Sequence, residues 1–567
     1  MDRLQNVGWR FLILGVVLVI CASWAVPAQA VLLPGGTPDP AYAGLQVWLK
    51  ADAGVYKDAG VTPAGDGDAV VQWNDQSSNS NHASRIGTNG NMTYETVELG
   101  GKPVVSFTDS SGADYLRIPS YQPADNDNLT VFVVSRADPQ TLNGSAIHPL
   151  VGSGNPANGG GAFTISTMRP NAGGPGNLGY FGRGYNPFPY DEYTKDGDPS
   201  NFGDGQGHGI VLQLSGASGN GTFRGYYDAE AREAHNGSTS NPANGPVEIG
   251  GSSTDNSRRL AGDIAEVLIY DEALSISDRN GVTDYLGQKY GLFSPPVVDV
   301  PTGLMLHATM DNSDIDATTV YDVSGNMRHG TLQNGLSQSG DAGQIDEALD
   351  FADGANDTNG EYVDLSSHVG DFAGLAEGTI SAWIRSDDYP DGPAVILAAS
   401  DKDDGSSELR FFVQRNSATG DVVRFGVRND GATLTDLIGI TDVGDGLMHH
   451  VAISVDATGK GTLYVDGLPD AFDTSVDFFD DIAGLDTMGI GRNKDTTAGG
   501  GQWFFGGLID DLGIWSRALN IREIEQIYTQ GLAGISALRP TIIPEPSGFV
   551  IALGLLALGL FGWRRRR

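Results

Sequence analysis

Residues 507–515, Gly-Leu-Ile-Asp-Asp-Leu-Gly-Ile-Trp, recur in altered form at residues 262–270 as Gly-Asp-Ile-Ala-Glu-Val-Leu-Ile-Tyr. Each segment begins with glycine, is mostly apolar, and is followed a few residues later by an Ala-Leu pair. Short apolar runs bounded by turn residues predict buried strands. Their recurrence in the two halves of the chain predicts two copies of one fold.

The beginnings of the two copies also match. Residues 45–52 (LQVWLKAD) correspond to residues 304–311 (LMLHATMD). Residues 75–82 (DQSSNSNH) correspond to residues 322–329 (DVSGNMRH), with Asp, Ser, Asn and His at the same spacing. A paired beginning and a paired end support the interpretation of a duplicated fold.

Short runs of β-forming residues separated by Gly, Asn and Asp lie between these ends. Examples are residues 129–134, 422–427 and 450–455, and the last leads through a glycine-rich turn into residues 462–465 as a hairpin. Strands at this spacing, with little helix between them, predict an all-β antiparallel sandwich in each copy. The proline-bearing residues 294–301 predict an extended, semi-rigid spacer between the copies.

Each copy ends with one predicted helix. Asn520 is a suitable N-cap for the second helix, with Glu523 as its capping-box partner and Gly531 at its end. Ser275 and Gly291 hold the corresponding places in the first copy. The apolar faces of both helices are expected to cover their own cores.

The composition excludes several classes of protein. The chain has 567 residues, 71 acidic against 34 basic side chains, and a formal net charge of −37. We therefore expect no nucleic-acid partner, because such a partner requires a basic face. The single cysteine, Cys21, excludes an intrachain disulfide and a cysteine zinc site. The 80 glycines and 27 prolines predict many turns rather than long helices.

The N-terminal 30 residues have the pattern of a secretory signal peptide. Arg3 and Arg10 give a positive start, an apolar run follows, and residues 28–30 (Ala-Gln-Ala) form a small-x-small cleavage site. The sequence thus predicts an N-terminal signal helix and export, with a transmembrane anchor as the alternative.

The C-terminal residues 544–567 combine three features in a fixed order: a Pro-Glu-Pro motif, an apolar stretch and an arginine cluster. The residues that carry them are Pro544, Glu545 and Pro546, then residues 547–563, then Arg564, Arg565, Arg566 and Arg567. This order resembles the PEP-CTERM sorting signal of Gram-negative bacteria. The resemblance implies export by the Sec machinery, a C-terminal membrane-spanning helix that anchors the chain transiently in the inner membrane, and processing by an exosortase. The final location would be the cell surface or the extracellular matrix, and a plain tail anchor is the alternative.

The body of the chain resembles the laminin-G-like, concanavalin-A-like jelly-roll domains of bacterial secreted proteins. Residues 302–533 match better, through the double histidine at 449–450 and the Tyr-Val-Asp-Gly hairpin at 464–467. Residues 41–293 are more divergent and lack both motifs in the sequence comparison. The predicted architecture is two tandem jelly-roll sandwiches, each closed by a short C-terminal helix.

The resemblance also implies a structural calcium ion beside the first and last strands, since calcium prefers carboxylate and carbonyl oxygens on irregular loops. The implied ligands are Asp311, Asp322, Asp510 and Asp511 in the second copy and Asp52, Asp75 and Glu266 in the first. The alternative for each is a solvated loop or a turn-forming residue.

Sugar binding is the function that the resemblance favours. Tyr180, Tyr185 and Tyr190 lie in a Gly/Pro/Asn-rich loop where exposed rings would stack on a glycan; the alternative is a small core beneath this loop. Neither the paired carboxylates of a retaining glucanase nor a Gly-x-Ser-x-Gly motif occurs. We therefore predict a non-enzymatic surface or matrix protein that binds polysaccharide or matrix components, with a glycoside-active enzyme or a purely structural protein as alternatives.

Overall fold

The computed structural model describes residues 30–538, apart from residue 90 and residues 109–113, 124–127, 138–146, 155–162, 169–176, 183–203, 217–220, 237–244, 254–258, 352–359, 387–391, 404–405, 417–419 and 494–502. The predicted signal helix (except Ala30) and the predicted sorting tail with its membrane-spanning helix lie outside these residues. In the part of the chain that is described, no helix is long and apolar enough to cross a membrane.

The first half contains sixteen strands and one helix within the described residues. They are β1 (Leu45–Lys50), β2 (Val55–Tyr56), β3 (Gln72–Trp73), β4 (Ala83–Ile86), β5 (Met92–Leu99), β6 (Lys102–Phe107), β7 (Tyr115–Ile118), β8 (Leu129–Ala137), β9 (Ile147–Ser153), β10 (Phe163–Met168), β11 (Asn177–Gly182), β12 (His208–Ser215), β13 (Thr222–Tyr227), β14 (Glu230–Asn236), β15 (Val247–Ile249), β16 (Gly262–Tyr270) and α1 (Ile276–Tyr290).

The second half contains eighteen described strands, three short 3-10 helices and one α-helix. The strands are β17 (Leu304–Ala308), β18 (Thr319–Val320), β19 (Gly330–Gln333), β20 (Asp341–Ala342), β21 (Glu347–Phe351), β22 (Tyr362–Asp364), β23 (Gly378–Ser386), β24 (Ala394–Ser400), β25 (Glu408–Asn416), β26 (Gly420–Asn429), β27 (Ala432–Asp442), β28 (His449–Val455), β29 (Gly461–Val465), β30 (Leu468–Asp473), β31 (Thr487–Ile490), β32 (Arg492–Asn493), β33 (Trp503–Phe504) and β34 (Gly507–Trp515). The 3-10 helices are Asn312–Asp314, Ser366–Asp371 and Phe479–Asp481, and the α-helix is α2 (Ile521–Leu532).

Each half is a sandwich of two eight-stranded antiparallel sheets. In the first half, one sheet has the order β14-β13-β12-β8-β16-β6-β5 with β1 on β16, and the other has the order β11-β10-β9-β15-β7-β4-β3-β2. The second half repeats this plan as β30-β29-β28-β23-β34-β21-β20 with β17 on β34, and β27-β26-β25-β24-β31-β22-β19-β18. The repeat in the sequence therefore has its counterpart in strand order, and the all-β class is confirmed.

We call the sheet that carries the first and last strands of each half its helix-side sheet, and the other its far sheet. Between the two sheets of each half lies a core of apolar side chains, because alternate strand residues point inward. A third apolar cluster joins the outer faces of the two helix-side sheets with both α-helices, including Leu286 of α1 and Ile524 of α2. The helices thus cover the sheets and also pack the two halves against each other, which the sequence did not predict.

The predicted helix ends are largely confirmed. Asn520 caps α2 and forms the capping box with Glu523, while Ser275 and Gly291 cap α1 at its two ends. The second helix continues one residue beyond Gly531, to Leu532.

Residues 294–301 do not behave as a free spacer. The indole N–H of Trp515 donates to the Val300 carbonyl at 2.7 Å, and the Asn520 amide donates to the Val297 carbonyl at 2.8 Å. The Asp299 N–H donates to Glu523 at 3.0 Å. These bonds hold the segment against the second half and pair backbone groups that an extended, proline-bearing segment does not pair within itself.

The first half also contains counterparts of the two motifs that its sequence lacks. His208 Nδ1 lies 2.6 Å from Asp228 Oδ2, and His449 Nδ1 lies 2.9 Å from Asp466 Oδ2. Asp228 and Asp466 have positive φ angles of 48° and 51°, and each begins the hairpin turn after its strand, β13 or β29. The two motifs are absent from the sequence of the first copy, but one histidine and one turn aspartate are enough to preserve the contact.

Candidate functional site

Asp75, a predicted metal ligand, fastens the loop that follows β3 to the first strand. Its Oδ1 accepts from the Trp48 N–H at 2.8 Å and from the Ser77 N–H at 2.9 Å. Its Oδ2 accepts from the Asn81 N–H at 2.8 Å and from the Ser77 hydroxyl at 2.6 Å. Four donors contact this carboxylate, which gives Asp75 a structural role in the loop, and its role as a metal ligand stays a prediction.

Asp322 makes the same set of bonds in the second half. It accepts from the backbone N–H groups of His307 at 3.0 Å, Ser324 at 2.9 Å and Arg328 at 2.9 Å. Burial raises the pKa of this carboxyl, but the hydrogen bonds outweigh burial and leave the pKa below its usual value. The repeated Asp-x-Ser-x-Asn motif therefore stabilises the loop in both halves, and the metal role of Asp322 stays a prediction.

Glu266 is completely buried on the last strand of the first half and is also saturated with donors. It accepts from the Trp48 indole at 2.6 Å, the Tyr290 hydroxyl at 2.8 Å and the Lys289 ammonium at 2.7 Å. The same ammonium lies 3.1 Å from Asp52. Lys289 thus supplies a positive charge to both Asp52 and Glu266, and the metal role of these two residues stays a prediction.

Asp511 holds the position of Glu266 in the second half. Glu266 lies two residues before Leu268, which pairs with Trp48 of the first strand. Asp511 lies two residues before Gly513, which pairs with His307 at the same place in the second half. His307 Nε2 lies 2.6 Å from Asp511 Oδ1, and the Ser536 hydroxyl donates to Asp511 Oδ2 at 2.8 Å. A contact between a first-strand ring nitrogen and a last-strand carboxylate is therefore common to both halves.

Asp510 is the one predicted ligand with an unsatisfied oxygen. Its side chain is completely buried, its Oδ2 accepts from the Ile345 N–H at 2.8 Å, and its Oδ1 has no hydrogen-bond partner among the described residues. Burial, reinforced by the charges of Asp511 and Asp311, raises the pKa of Asp510 to about 8. The geometry fits a neutral, protonated carboxyl near neutral pH.

The predicted calcium ligands of the second half do not form a compact cage. Within the described residues, the one group of three acidic side chains whose oxygens lie within 4.8 Å of each other is Asp401, Asp403 and Asp486. That group surrounds the Lys402 ammonium, which pairs with Asp486 and lies 3.5 Å from Asp403. Calcium binding stays a prediction.

Replacing Asp510 by Asn is expected to stabilise the protein increasingly as the pH rises. The folded-state pKa of about 8 lies above the unfolded value, so the acid contributes stability at low pH that is lost as the pH rises toward 8. The difference in unfolding free energy between variant and wild type should grow by up to about 1.4 kcal/mol per pH unit between pH 5 and 8. Urea denaturation at several pH values measures it. A destabilised variant, together with wild-type melting that EDTA lowers, would favour a bound cation instead.

An open groove of 430 Å³ lies on the outer face of the far sheet in the second half. It is lined by Gly392, Pro393, Arg410, Phe412, Gln414, Arg424, Gly426, Arg428, Thr433, Thr435, Asp436 and Trp503. Because strand residues alternate, Phe411 and Phe425 enter the core while their neighbours Arg410 and Arg424 point into the groove. We call this the far-sheet groove.

Aromatic rings form one wall of the far-sheet groove. Phe412 packs with Val395 and Ala398 outside the main core, and the half-buried Trp503 packs against them from the β32–β33 hairpin. The guanidinium carbons of Arg410 and Arg424 lie 5.0 and 5.5 Å from the centre of the Phe412 ring. Flat rings and flat cations thus lie side by side on one open face.

The described residues of β10 in the first half differ from their groove counterparts in β25. Ile165 of β10 and Phe411 of β25 have the same register beside a bulge in their sheets. Thr164 and Ser166, which flank Ile165, are buried, where the second half has Arg410 and Phe412. The groove side chains that β25 contributes are therefore specific to the second half.

The tyrosines predicted to bind a ligand are placed only in part. Tyr180 lies in β11, where its backbone pairs with Ile165. Tyr185 and Tyr190 lie outside the described residues. The ligand role of all three stays a prediction.

Two strand segments of the second half carry a sequence pattern that indicates the groove. Residues 410–414 (Arg-Phe-Phe-Val-Gln) and 424–428 (Arg-Phe-Gly-Val-Arg) each have apolar residues at the second and fourth positions and large polar residues at both ends, which is typical of a strand with one open face. The pattern does not indicate which distant residue packs on the open face. The position of Trp503 beside these strands could therefore not be predicted.

Residues 357–525 match the sequence model of the concanavalin A-like lectin/glucanases superfamily. The match lies in the second half, and all twelve residues that line the far-sheet groove fall within it. No curated protein matches the chain significantly.

Several solved structures are similar in part. A carbohydrate-binding module of the Ruminococcus gnavus IT-sialidase, CBM40, is 19% identical over 32% of this chain and 96% of its own, with a TM-score of 0.27. Domain 4 of AbnA, an extracellular arabinanase from Geobacillus stearothermophilus, is 18% identical over 40% and 98%, with a TM-score of 0.30. The binding domain of a botulinum neurotoxin of serotype D/C is 15% identical over 41% and 53%, with a TM-score of 0.31. Similarity at this level says nothing about what this chain binds.

Proposed function

We propose that the protein binds carbohydrate in the far-sheet groove without chemically changing it. The observation that carries this proposal is the joint placement of Trp503 with the planar side chains of Arg410, Arg424 and Asp436 on one open face. A half-buried indole at an open groove offers its free part to the apolar face of a sugar ring, and fixed polar groups beside it offer partners for hydroxyl groups. The match of residues 357–525 to the model of a lectin and glucanase superfamily supports this proposal.

The carboxylates at the groove support binding rather than hydrolysis. Glycoside hydrolysis needs one free carboxylic acid and one free carboxylate beside the scissile bond. Asp436 is instead held by Arg424 through both of its oxygens, at 2.6 and 2.8 Å. Glu408 is nearly buried and accepts from the Asn493 amide at 2.6 Å, with Arg410 at 3.1 Å. Both carboxylates are engaged in orienting arginines.

The proposed setting is the cell surface or the extracellular matrix. The support is the sequence alone: the signal-like residues 1–30 and the sorting-like residues 544–567, both outside the folded halves. We propose that the Sec machinery exports the chain by its signal-like residues and that an exosortase processes the sorting-like tail.

Replacing Glu545 by Ala should leave the full tail attached, because the processing enzyme would no longer recognise its motif. The measurement is the amount of protein retained in the inner-membrane fraction. Unchanged release would contradict the sorting role.

Replacing Gly426 by Val is expected to abolish carbohydrate binding while leaving the fold intact. A Cβ at this position would lie 3.7 Å from the Thr435 carbonyl oxygen and 3.8 Å from the Phe412 ring, which are ordinary contacts. Valine also suits a strand better than glycine, so the melting temperature should stay equal or rise. The valine methyl groups, however, would fill the groove above Phe412.

Retention on a panel of immobilised polysaccharides measures the effect, and Gly374→Val serves as the control. Gly374 has no atom within 4 Å of its Cβ position and does not line the groove. We expect the control to bind like wild type and Gly426→Val to lose at least about 10-fold in affinity, since a filled site forfeits the contacts of one sugar unit. A folded Gly426→Val protein that binds normally would contradict the proposal.

A further inference from the structure

We infer that the far-sheet groove selects acidic sugars, that is, glycans bearing carboxylate or sulfate groups. This inference rests on the proposed function and names its substrate class. It begins from charge: three arginines, Arg410, Arg424 and Arg428, converge on one groove in a chain whose formal net charge is −37. A groove for neutral sugars needs no such concentration of cations, whereas guanidinium groups match the planar geometry of carboxylates and the oxygens of sulfates.

Among the described residues, the carboxylates beside these arginines do not match them in number. Asp436 of the groove pairs with Arg424, and the buried Glu408 is shared between Arg410 and Arg428, at 3.1 and 3.6 Å. In the part of the chain that is described, two carboxylates therefore pair with three guanidinium groups. Burial, together with the neighbouring charges of Arg428 and Arg424, lowers the pKa of Arg410, so an incoming anion would relieve a repulsion that is already present.

The arginines are also held in place before any ligand arrives. Arg410 and Arg424 lie against the Phe412 ring on adjacent strands, and Gln414 receives a further hydrogen bond from Arg424. Their side chains are 19% and 22% exposed, and that of Arg428 is 36% exposed, so all three remain accessible at the groove surface. Preorganised cations lose little conformational entropy on binding, which favours affinity for a matching anion.

The test compares the purified full-length chain against four kinds of probe by isothermal titration calorimetry. They are polygalacturonate for carboxylated sugars, dextran sulfate for sulfated sugars, dextran for neutral sugars and polyglutamate for a polyanion without sugar. We expect at least one acidic glycan to bind about 10-fold tighter than dextran and tighter than polyglutamate, with affinity that falls as salt rises.

Two variants localise the effect. Arg428→Gln removes one groove charge at its most exposed position and should weaken binding of the acidic glycan at least about 5-fold, as expected for loss of a charge-assisted hydrogen bond. Lys57→Gln removes the same charge from an exposed pair with Asp68 in the first half and should change nothing.

The outcomes separate the inference from the proposed function. Equal binding of dextran and the acidic glycans, unaffected by Arg428→Gln, would overturn the inference and leave carbohydrate binding intact. Polyglutamate binding as tightly as the acidic glycans would overturn selection of acidic sugars in favour of simple charge attraction. Failure to bind any glycan, here and on the broader panel, would overturn the proposed function as well.

Discussion

Truncating Glu525 to Ala should lower the free energy of unfolding by about 3–5 kcal/mol, because it leaves a buried arginine without its counter-ion. Glu525 lies in α2 and pairs with Arg279 of α1, and the two side chains are only 3% and 2% exposed. The Asn280 amide donates to the same carboxylate at 2.6 Å. Arg279 also donates to the Tyr226 hydroxyl at 2.8 Å and lies over that ring. The pair sits where the two halves meet.

Urea denaturation of Glu525→Ala, Arg279→Met and the double variant Arg279→Met/Glu525→Leu measures the coupling. Each single change should be strongly destabilising, whereas the double variant should recover a large part of the loss because no lone charge remains buried. Lys57→Ala is the surface control and should cost less than about 1 kcal/mol. A cost below about 1 kcal/mol for Glu525→Ala would show that this interface does not bind the halves as described.

Glu266→Ala is expected to cost a similar amount, about 3–5 kcal/mol, within the first half. Four groups donate to this carboxylate. The change leaves the buried Trp48 indole without its acceptor and removes the shortest contacts of the Tyr290 hydroxyl and of the Lys289 ammonium, which keeps only its contact of 3.1 Å with Asp52 among the carboxylates. Tyr285, the fourth donor at 3.1 Å, loses its partner too. No substitution of a solvent-exposed carboxylate in this chain should approach this effect.

A paired variant distinguishes the lysine from a metal as the source of positive charge. Glu266→Gln with Lys289→Gln replaces the ion pair by two amides and should be markedly more stable than Glu266→Ala, because a hydrogen-bonded neutral pair leaves no buried charge. Chemical denaturation with and without EDTA is the measurement. EDTA should not change the denaturation midpoint of the wild-type first half. A clear loss of stability on addition of EDTA, which Glu266→Ala abolishes, would indicate a metal at this position.

The duplicated fold was readable because its signals are local. Strand runs, the hairpin at residues 462–465 and the caps Asn520 and Ser275 depend on residues close in sequence, and each reappears in the structure. The packing of segment 294–301 against the second half could not be predicted locally, because its hydrogen-bond partners, Trp515 and Asn520, lie more than 200 residues away.

The site chemistry was less predictable, because it depends on where strands place side chains. Asp510 and Asp511 are adjacent in sequence, yet one contacts the backbone at Ile345 and the other His307. Asp511 has a φ of +46° and lies at a bulge between β34 and β23, which no sequence pattern indicated. The acidic motifs therefore turned out to fasten loops and strands.

The far-sheet groove was missed for a related reason. Alternation within β25 and β26 predicts two faces for each strand, but it does not say which face is open to solvent. The second determinant is Trp503, which is almost 80 residues from Arg424 and reaches the groove on a separate hairpin. Only the assembled sheet brings these residues together.

The most direct test of the account is a crystal structure of the full-length chain with the tightest-binding oligosaccharide of the panel. We expect a sugar ring against Trp503, with its charged group within hydrogen-bond distance of Arg410 or Arg428, and no sugar at the buried Thr164 and Ser166 of the first half. An oligosaccharide held elsewhere on the protein, with the far-sheet groove empty of sugar, would contradict the central claim.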